Sequence, residues 1–390
     1  MTPPLRFKIN TDAFSDFWHY EDGKMLLLKL GEIPIIEKAY EKVPLLFQKD
    51  DVADDVIADC FIGSPFPQAL QQLTNYAIGK TSLHSAPESV RVLIQEMSII
   101  PKWVDPTLLS LGREFCNRSG KSGLIVLRNY SLMLGYQSAA INKPLIATGA
   151  LHSGAVKRIA DTTNFWFAVT GENALQQGND GFIYCLRTRL VHAYSRGMIK
   201  QKLDWHLDEQ AEPLNHWDMV ATYLGFSLVY MEGLKKLGFI ISEQESKAVY
   251  HLWKYIGYLI GIPAEIMPND DLNAIENLYL WSKTQPEADA DSLLLAHALY
   301  EEPLHTKWPP KLYQKRFIQK VNLAFNYHLI GKRSCAVLKL PVSNYTRLLQ
   351  IMIQINSVNE KIAAKSDFYR KWQIRRGRAE QQIIRNHVNT

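Results

Sequence analysis

Apolar residues recur at a helical period along most of the chain. In "PESVRVLIQEMSII", residues 87–100, Val90, Leu93 and Met97 share a helix face behind a Pro–Glu start that suits a first turn. "DPTLLSLGREFCNR", 105–118, predicts a helix with Asp105 as N-cap and Pro106 at the first helical position. After a Gly–Lys–Ser–Gly turn, "LIVLRNYSLMLGYQSAAI", 124–141, continues the period. "SGAVKRIADTTNFWFAVTG" predicts a helix opening at Ser153 and stopping at Gly171. "NDGFIYCLRTRLVHAYSRGMI", 179–199, follows a Gly–Asn–Asp turn. Two more long helices are expected over 215–238, ending at Gly238, and over 242–261. Alternating strand patterns are scarce, so the fold class is all-α.

Weak breaks near 80–90 and in the polar, acidic "SKTQPEADADS", 282–292, divide the chain. They suggest an N-terminal helical extension over 1–95, a core over 96–280 and a C-terminal helical region with a basic tail over 281–390. No internal repeat or low-complexity segment stands out.

Composition narrows this little. A hydrophobic share of 47% and a charged share of 21% fit a packed globular chain. Nine Trp and eighteen Tyr suit a large core, or a pocket for a flat cofactor. The net charge of +5 equals the balance of 365–385 alone, where seven Lys and Arg face Asp367 and Glu380. A broad nucleic-acid face is therefore not expected. That basic tail, with Phe368, Tyr369 and Trp372, reads as a solvated helix or as one lying on an anionic membrane. Cys60, Cys116, Cys185 and Cys335 form no CxxC pair, so reduced thiols are expected. The N-terminal stretch has no apolar signal region, and no run reaches the ~18 apolar residues of a spanning helix. A cytoplasmic protein, at most peripheral to a membrane, is the expectation.

Several motifs fail on spacing. "NRSGKSG", 117–123, has Phe115 where a phosphate-binding loop needs Gly. A di-iron bundle needs two Glu-x-x-His pairs, and Glu302…His305 stands alone with Pro303 inside it. "DWHLDEQ", 204–210, lacks the HExxH spacing and reads as a solvated loop.

One constellation survives. On the 153–171 helix, Arg158 and Thr162 stand at i and i+4, with Asp161 beside them and Phe165 extending the stripe. The plain interpretation is an Arg–Asp pair on a helix surface. On the next helix His192 lies one turn from Thr188, Arg189, Ser195 and Arg196. A helical His is usually structural, yet neutral imidazole is also an iron ligand in b-type heme, with Arg189 and Arg196 as partners for its propionates. Periodicity leaves both open.

The chain resembles the MpaB/latex clearing protein (Lcp)-like oxygenase family over roughly 95–270. The landmarks run in order: "PKWVDPTLLSLGREFCNRSG" at 101–120, "YSLMLGY" at 130–136 and "LIATGAL" at 145–151. Arg-x-x-x-Thr follows at Arg158–Thr162, then His192 within "RLVHA", then "HLWKYIGYLIGIPAEIMP" at 251–268. The resemblance implies a globin-like helical core holding heme b, with O2 as co-substrate. His192 is then the metal ligand, and Arg158 and Thr162 are the motif residues near the cofactor. It implies Arg158 as hydrogen-bond donor on the oxygen side, Thr162 orienting a water, and Asp161 as a proton donor or relay. The implied substrate is a hydrophobic, isoprenoid or lipid-like molecule with a C=C bond, facing Phe165, Trp166 and Phe167 unless these are core. An electron donor is a further implied partner.

Two departures count against polyisoprene itself. Asp161 stands where the latex clearing protein has Lys, and Asn142 stands where rubber-cleaving members carry a Glu base. The alternatives are a non-catalytic heme protein that binds or senses O2 or another gas, and a helical scaffold without heme. The joint presence of Arg158, Thr162 and His192 weighs against the last.

Overall fold

Among the residues described by the computed structural model, 2–61 and 65–389, every regular element is a helix and none is a strand. Side chains at 150–153, 346 and 348 lie outside that description. The helices that build and surround the site are α1 (Asp51–Cys60), α2 (Glu88–Ser98), α3 (Pro106–Arg118), α4 (Gly120–Val126), α5 (Ala139–Ala147), α6 (Ala150–Val169) and α7 (Asp180–Lys202). They are followed by α8 (His216–Phe226), α9 (Leu228–Lys236), α10 (Glu243–Leu259), α11 (Ala290–His305), α12 (Leu312–Leu329), α13 (Thr346–Ala363) and α14 (Asp367–Val388).

Caps account for several starts. Asp105 accepts from the backbone N–H of Thr107 at 2.8 Å and so caps α3, as expected. Ser242 and Glu245 form a reciprocal capping box at the head of α10. Pro87 sits at the N-cap of α2, one position earlier than a first-turn residue.

Four expectations change. Gly–Lys–Ser–Gly at 120–123 is the first turn of α4, and the chain turns instead at Gly120, whose φ is +53°. The 124–141 helix is interrupted by a π-helical stretch over Leu127–Leu132 and ends before Ser138, which caps α5. The 215–238 helix breaks at Ser227, where φ is −113° and ψ is −83°. The Ser227 hydroxyl bonds back to the Tyr223 carbonyl at 2.9 Å, a contact that competes with the helical ladder. In α6, Gly154 has non-helical φ/ψ, so the regular helix begins beyond it rather than at Ser153.

One apolar core extends from Phe7 to Leu349. α3 crosses α10 at close range within it. Gly112 lies directly on the Ala248 carbonyl and the Leu252 Cβ, and a methyl group there has no room. At the end of the same crossing, buried Arg118 donates to Glu245 at 2.7 Å and also pairs with buried Glu360 on α13. Glu245 additionally accepts from Arg370 on α14 at 2.8 Å. The basic tail is therefore a packed helix. Its Arg378 donates to the Phe167 carbonyl of α6 at 2.7 Å, and Arg385 donates to Asn164 at 3.0 Å. No helix among the described residues is long and apolar enough to cross a membrane.

Gly112→Ala is expected to destabilise the protein by roughly 1–3 kcal/mol, because backbone must move to admit the methyl. Urea unfolding monitored by circular dichroism checks this. An unchanged midpoint would mean that α3 and α10 are not in contact at this position.

Candidate functional site

The site starts from α7. Its two inward arginines are both buried and both paired. Arg189 grips Asp50 through two bonds, of 2.6 and 2.9 Å, and also reaches Glu96 on α2 at 2.9 Å. Arg196 grips Asp54 on α1, with a shortest bond of 2.7 Å. A buried guanidinium is tolerated only with such partners. These pairs fix the depth and rotation of α7. They take up the Arg189 Nε and Nη2 donors, while its Nη1 is buried without a partner among the described residues and is the group that a heme propionate, the role suggested by proximity to His192, would have to meet. The carboxylates come from elements about a hundred or more residues away, so no local spacing announced them.

His192 lies within one turn of both arginines. The residue is half-buried, and its Nδ1 is buried with no hydrogen-bond partner among the described residues. Burial, aided by the positive charge of Arg196 and opposed by Asp50, holds its pKa down to about 4. The imidazole is therefore neutral at physiological pH. His216, at the start of α8, was passed over in the sequence. It is buried and likewise neutral, beside the same Asp50 and Arg196. The only local hint was the Asn215 cap that precedes it.

α6 packs against α7, so the Arg158–Thr162 helix and the His192 helix are neighbours. Half-buried Arg158 donates to the Tyr136 hydroxyl at 2.8 Å, with its guanidinium 5.3 Å from that ring's centre. Tyr136 is buried, which raises its pKa. Its backbone carbonyl accepts from the Asn142 carboxamide at 3.0 Å, and Asn142 also donates to Ser292 on α11 at 3.0 Å. The Asn142 Oδ1 is buried without a partner. Thr162 lies half-buried one turn beyond Arg158.

Asp161 departs from this group. It is 62% exposed and pairs with Lys157 one turn back, not with Arg158. The i,i+4 spacing of Lys157 and Asp161 was the signal for that pair. A proton-relay role for Asp161 finds no partner within the site in this arrangement. Of the three aromatics, Trp166 is core, stacked on Trp253 at 5.2 Å. Phe167 is covered by Arg378 and Arg385. Partly buried Phe165, beside Phe226 and Trp253, remains the apolar wall nearest to Thr162. Glu302, from the rejected di-iron pair, is buried against Arg128 at 2.9 Å.

An all-helical arrangement of the described residues, with a half-buried neutral imidazole on one helix and a tyrosine-held arginine on its neighbour, is thus defined. Residues 123–354 match the family described as ER-bound oxygenase mpaB/B'/Rubber oxygenase, catalytic domain. That is more than half of the chain, and the chain belongs to this family. It is 24% identical over 224 residues to the rubber oxygenase of Streptomyces sp. (strain K30). The alignment takes in 56% of this chain and 54% of that protein, so only about half of the relative's length is spanned. The solved structure of latex clearing protein LCP in the closed state superposes with a TM-score of 0.66 at 16% identity. The superposition covers 86% of this chain and 91% of that one, and it establishes the shared fold.

The His192 environment predicts a pH dependence. In an unfolded chain an imidazole titrates near ~6.5, whereas folded His192 titrates at about 4. Above the first value it is neutral in both states. Below it, the unfolded chain takes up a proton that the folded one refuses, so stability falls as pH drops toward 4. In cofactor-free protein, His192→Gln should therefore lose less stability than the parent between about pH 7 and about pH 5. Equal losses in denaturant titrations would mean that His192 titrates as an exposed imidazole.

Proposed function

We propose that this protein is a heme b-dependent oxygenase that acts with O2 on a hydrophobic substrate containing a C=C bond. The observation that carries this reading is His192: a neutral imidazole with a buried, unpartnered nitrogen, on a helix packed against the Arg158–Thr162 helix, in a chain of the oxygenase catalytic-domain family. Such an imidazole needs no proton removed before it ligates a metal. It fits the single protein ligand of a heme iron. Arg189 could meet a propionate only through its buried, unpartnered Nη1, since its other donors are committed to Asp50 and Glu96, and Arg196 is committed to Asp54 and the Leu214 carbonyl.

Bound heme supplies the activation of O2. The chain's own residues supply placement and polarity. Arg158, held by Tyr136, presents fixed donors where negative charge develops on oxygen. Thr162 offers a hydroxyl that orients a water or a polar group of the substrate. Phe165 offers an apolar wall for the substrate. The relative's name, rubber oxygenase, points to a hydrophobic substrate. Asn142 cannot take a proton, and in this reading it anchors the Tyr136 backbone instead of acting as a base.

A second reading, a heme protein that binds O2 without turnover, is favoured by the same replacement. Asn142 brings an amide to the Tyr136–Arg158 group, and the nearest acid on α6, Asp161, faces solvent.

Absorption spectra of oxidised and dithionite-reduced protein test the heme. A Soret band that shifts or is lost in His192→Ala is expected, and absence of the band after heme reconstitution would sink the assignment. Oxygen uptake with a panel of olefins separates the two readings. Tyr136→Phe removes the hydroxyl that holds Arg158. It should keep the Soret band and cost no more than about 1–2 kcal/mol of stability while lowering O2-dependent turnover about tenfold or more. Unchanged turnover would remove Tyr136 and Arg158 from the mechanism.

A further inference from the structure

The C-terminal helices carry a second pattern that the oxygenase reading does not use. The outward side of α13 presents Ile351, Ile355, Val358 and Ile362, exposed by 62%, 54%, 55% and 42%. Their spacing of four, three and four residues places them in one line along the helix. The opposite side of α13, with Leu349, Glu360 and Ala363, is the side that packs inward. Where α13 turns into α14, Phe368 is 83% exposed and Trp372 continues the apolar edge.

Charge surrounds this edge unevenly. Residues 307–390 carry 17 Lys and Arg against three Asp and Glu, while residues 1–306 carry 27 against 36. Of the three acids, Glu360 is buried on Arg118 and Glu380 pairs with Arg376, which leaves Asp367 exposed. Arg370, Arg378 and Arg385 turn inward to Glu245, Phe167 and Asn164. Lys361, Lys365, Lys371 and Arg375 face outward, and none of them has an ion-pair partner among the described residues. Beside α13, α12 adds an open groove of about 710 Å³ lined by Trp308, Tyr313, Phe317 and Tyr345 with Arg316 and Lys320.

We propose that the outer face of α12, α13 and α14 is a peripheral docking surface for bilayers rich in anionic phospholipid. The aliphatic line enters the headgroup–acyl boundary, and the four outward cations sit at the phosphate level. Charge decides between possible occupants. A second copy of this chain docking through the same face would bring cation against cation. A nucleic acid would satisfy the cations but offers nothing apolar to the Ile and Val line. An anionic bilayer satisfies both. The inward arginines of α14 meanwhile tie this face to α6, so docking would place the Arg158 helix next to a reservoir of hydrophobic molecules.

The test is flotation of the full-length protein with phosphatidylcholine vesicles and with phosphatidylcholine–phosphatidylserine vesicles, at low and high salt. Its readout is lipid binding and does not depend on heme or turnover. Binding is expected only with phosphatidylserine present, and it should weaken with salt. The combined variant K361Q/K365Q/K371Q/R375Q should lose about 100-fold or more, at about fivefold per cation. Ile355→Ser with Phe368→Ser should lose roughly tenfold or more at unchanged charge. Every altered side chain is exposed, so the variants should fold as the parent does, which circular dichroism verifies. No binding to phosphatidylserine vesicles overturns the proposal. So does binding that ignores the Ile355 and Phe368 changes, since simple cationic adsorption would then suffice. A concentration-dependent dimer that Ile355→Ser abolishes, without vesicle binding, would assign the face to self-association instead.

Discussion

Two buried arginines on α7 set the terms for everything around them. Arg189 and Arg196 are 3% exposed each, and a guanidinium at that depth is stable only if carboxylates meet it with good geometry. Asp50, Asp54 and Glu96 do so from α2 and from the start of α1. Rotating α7 out of this register would leave both buried charges unpaired, so α7 is held to one rotation and one depth. His192 sits between the two arginines on that same helix, half-buried, with its Nδ1 turned away from solvent. Its neutrality follows in turn: the ring is desolvated, and Arg196 stands nearer in effect than the opposing Asp50.

The arginine on α6 is positioned by a different logic. Arg158 is half-buried and has no carboxylate. A tyrosine hydroxyl and ring hold it, and that tyrosine is steadied through its backbone by Asn142 and through burial by the core. A neutral holder leaves the guanidinium's full charge available to a developing anion, whereas a carboxylate partner would cancel much of it. The two arginines on α7 are thus held by carboxylates and the arginine on α6 by a neutral hydroxyl and ring.

Much of this was legible in the sequence, and the rest was hidden for identifiable reasons. The all-α class, the Asp105 cap of α3 and the start of α10 at Ser242 follow from local periodicity and capping chemistry, which act within a few residues. The Ser227 break and the π-helical stretch at Leu127–Leu132 keep the same apolar period while changing the hydrogen-bond pattern, so periodicity does not register them. The site was legible only as a set of residue types. Arg158, Thr162 and His192 could be picked out, but their partners could not. Tyr136 is 22 residues from Arg158, and Asp50 is 139 from Arg189. Asp161 was misread for a local reason. Two basic residues, Lys157 and Arg158, flank its turn, and the longer, more exposed Lys157 lies at the favoured i,i+4 spacing.

The two departures from the rubber-cleaving pattern turn out to have unequal weight. At position 161 the acid faces water on the outer flank of α6, so the replacement of Lys changes the surface of the site more than its interior. At position 142 the amide lies in the interior, bonded to Tyr136 and Ser292, with one oxygen left without a partner. A carboxylate placed there would be fully desolvated and would lose the Nδ2 donor that now satisfies the Tyr136 carbonyl. It would have to take up a proton or draw Arg158 toward itself. An amide avoids both outcomes and leaves the Tyr136–Arg158 contact undisturbed. The interior around Tyr136 therefore holds an arginine and an amide rather than an arginine and a carboxylate.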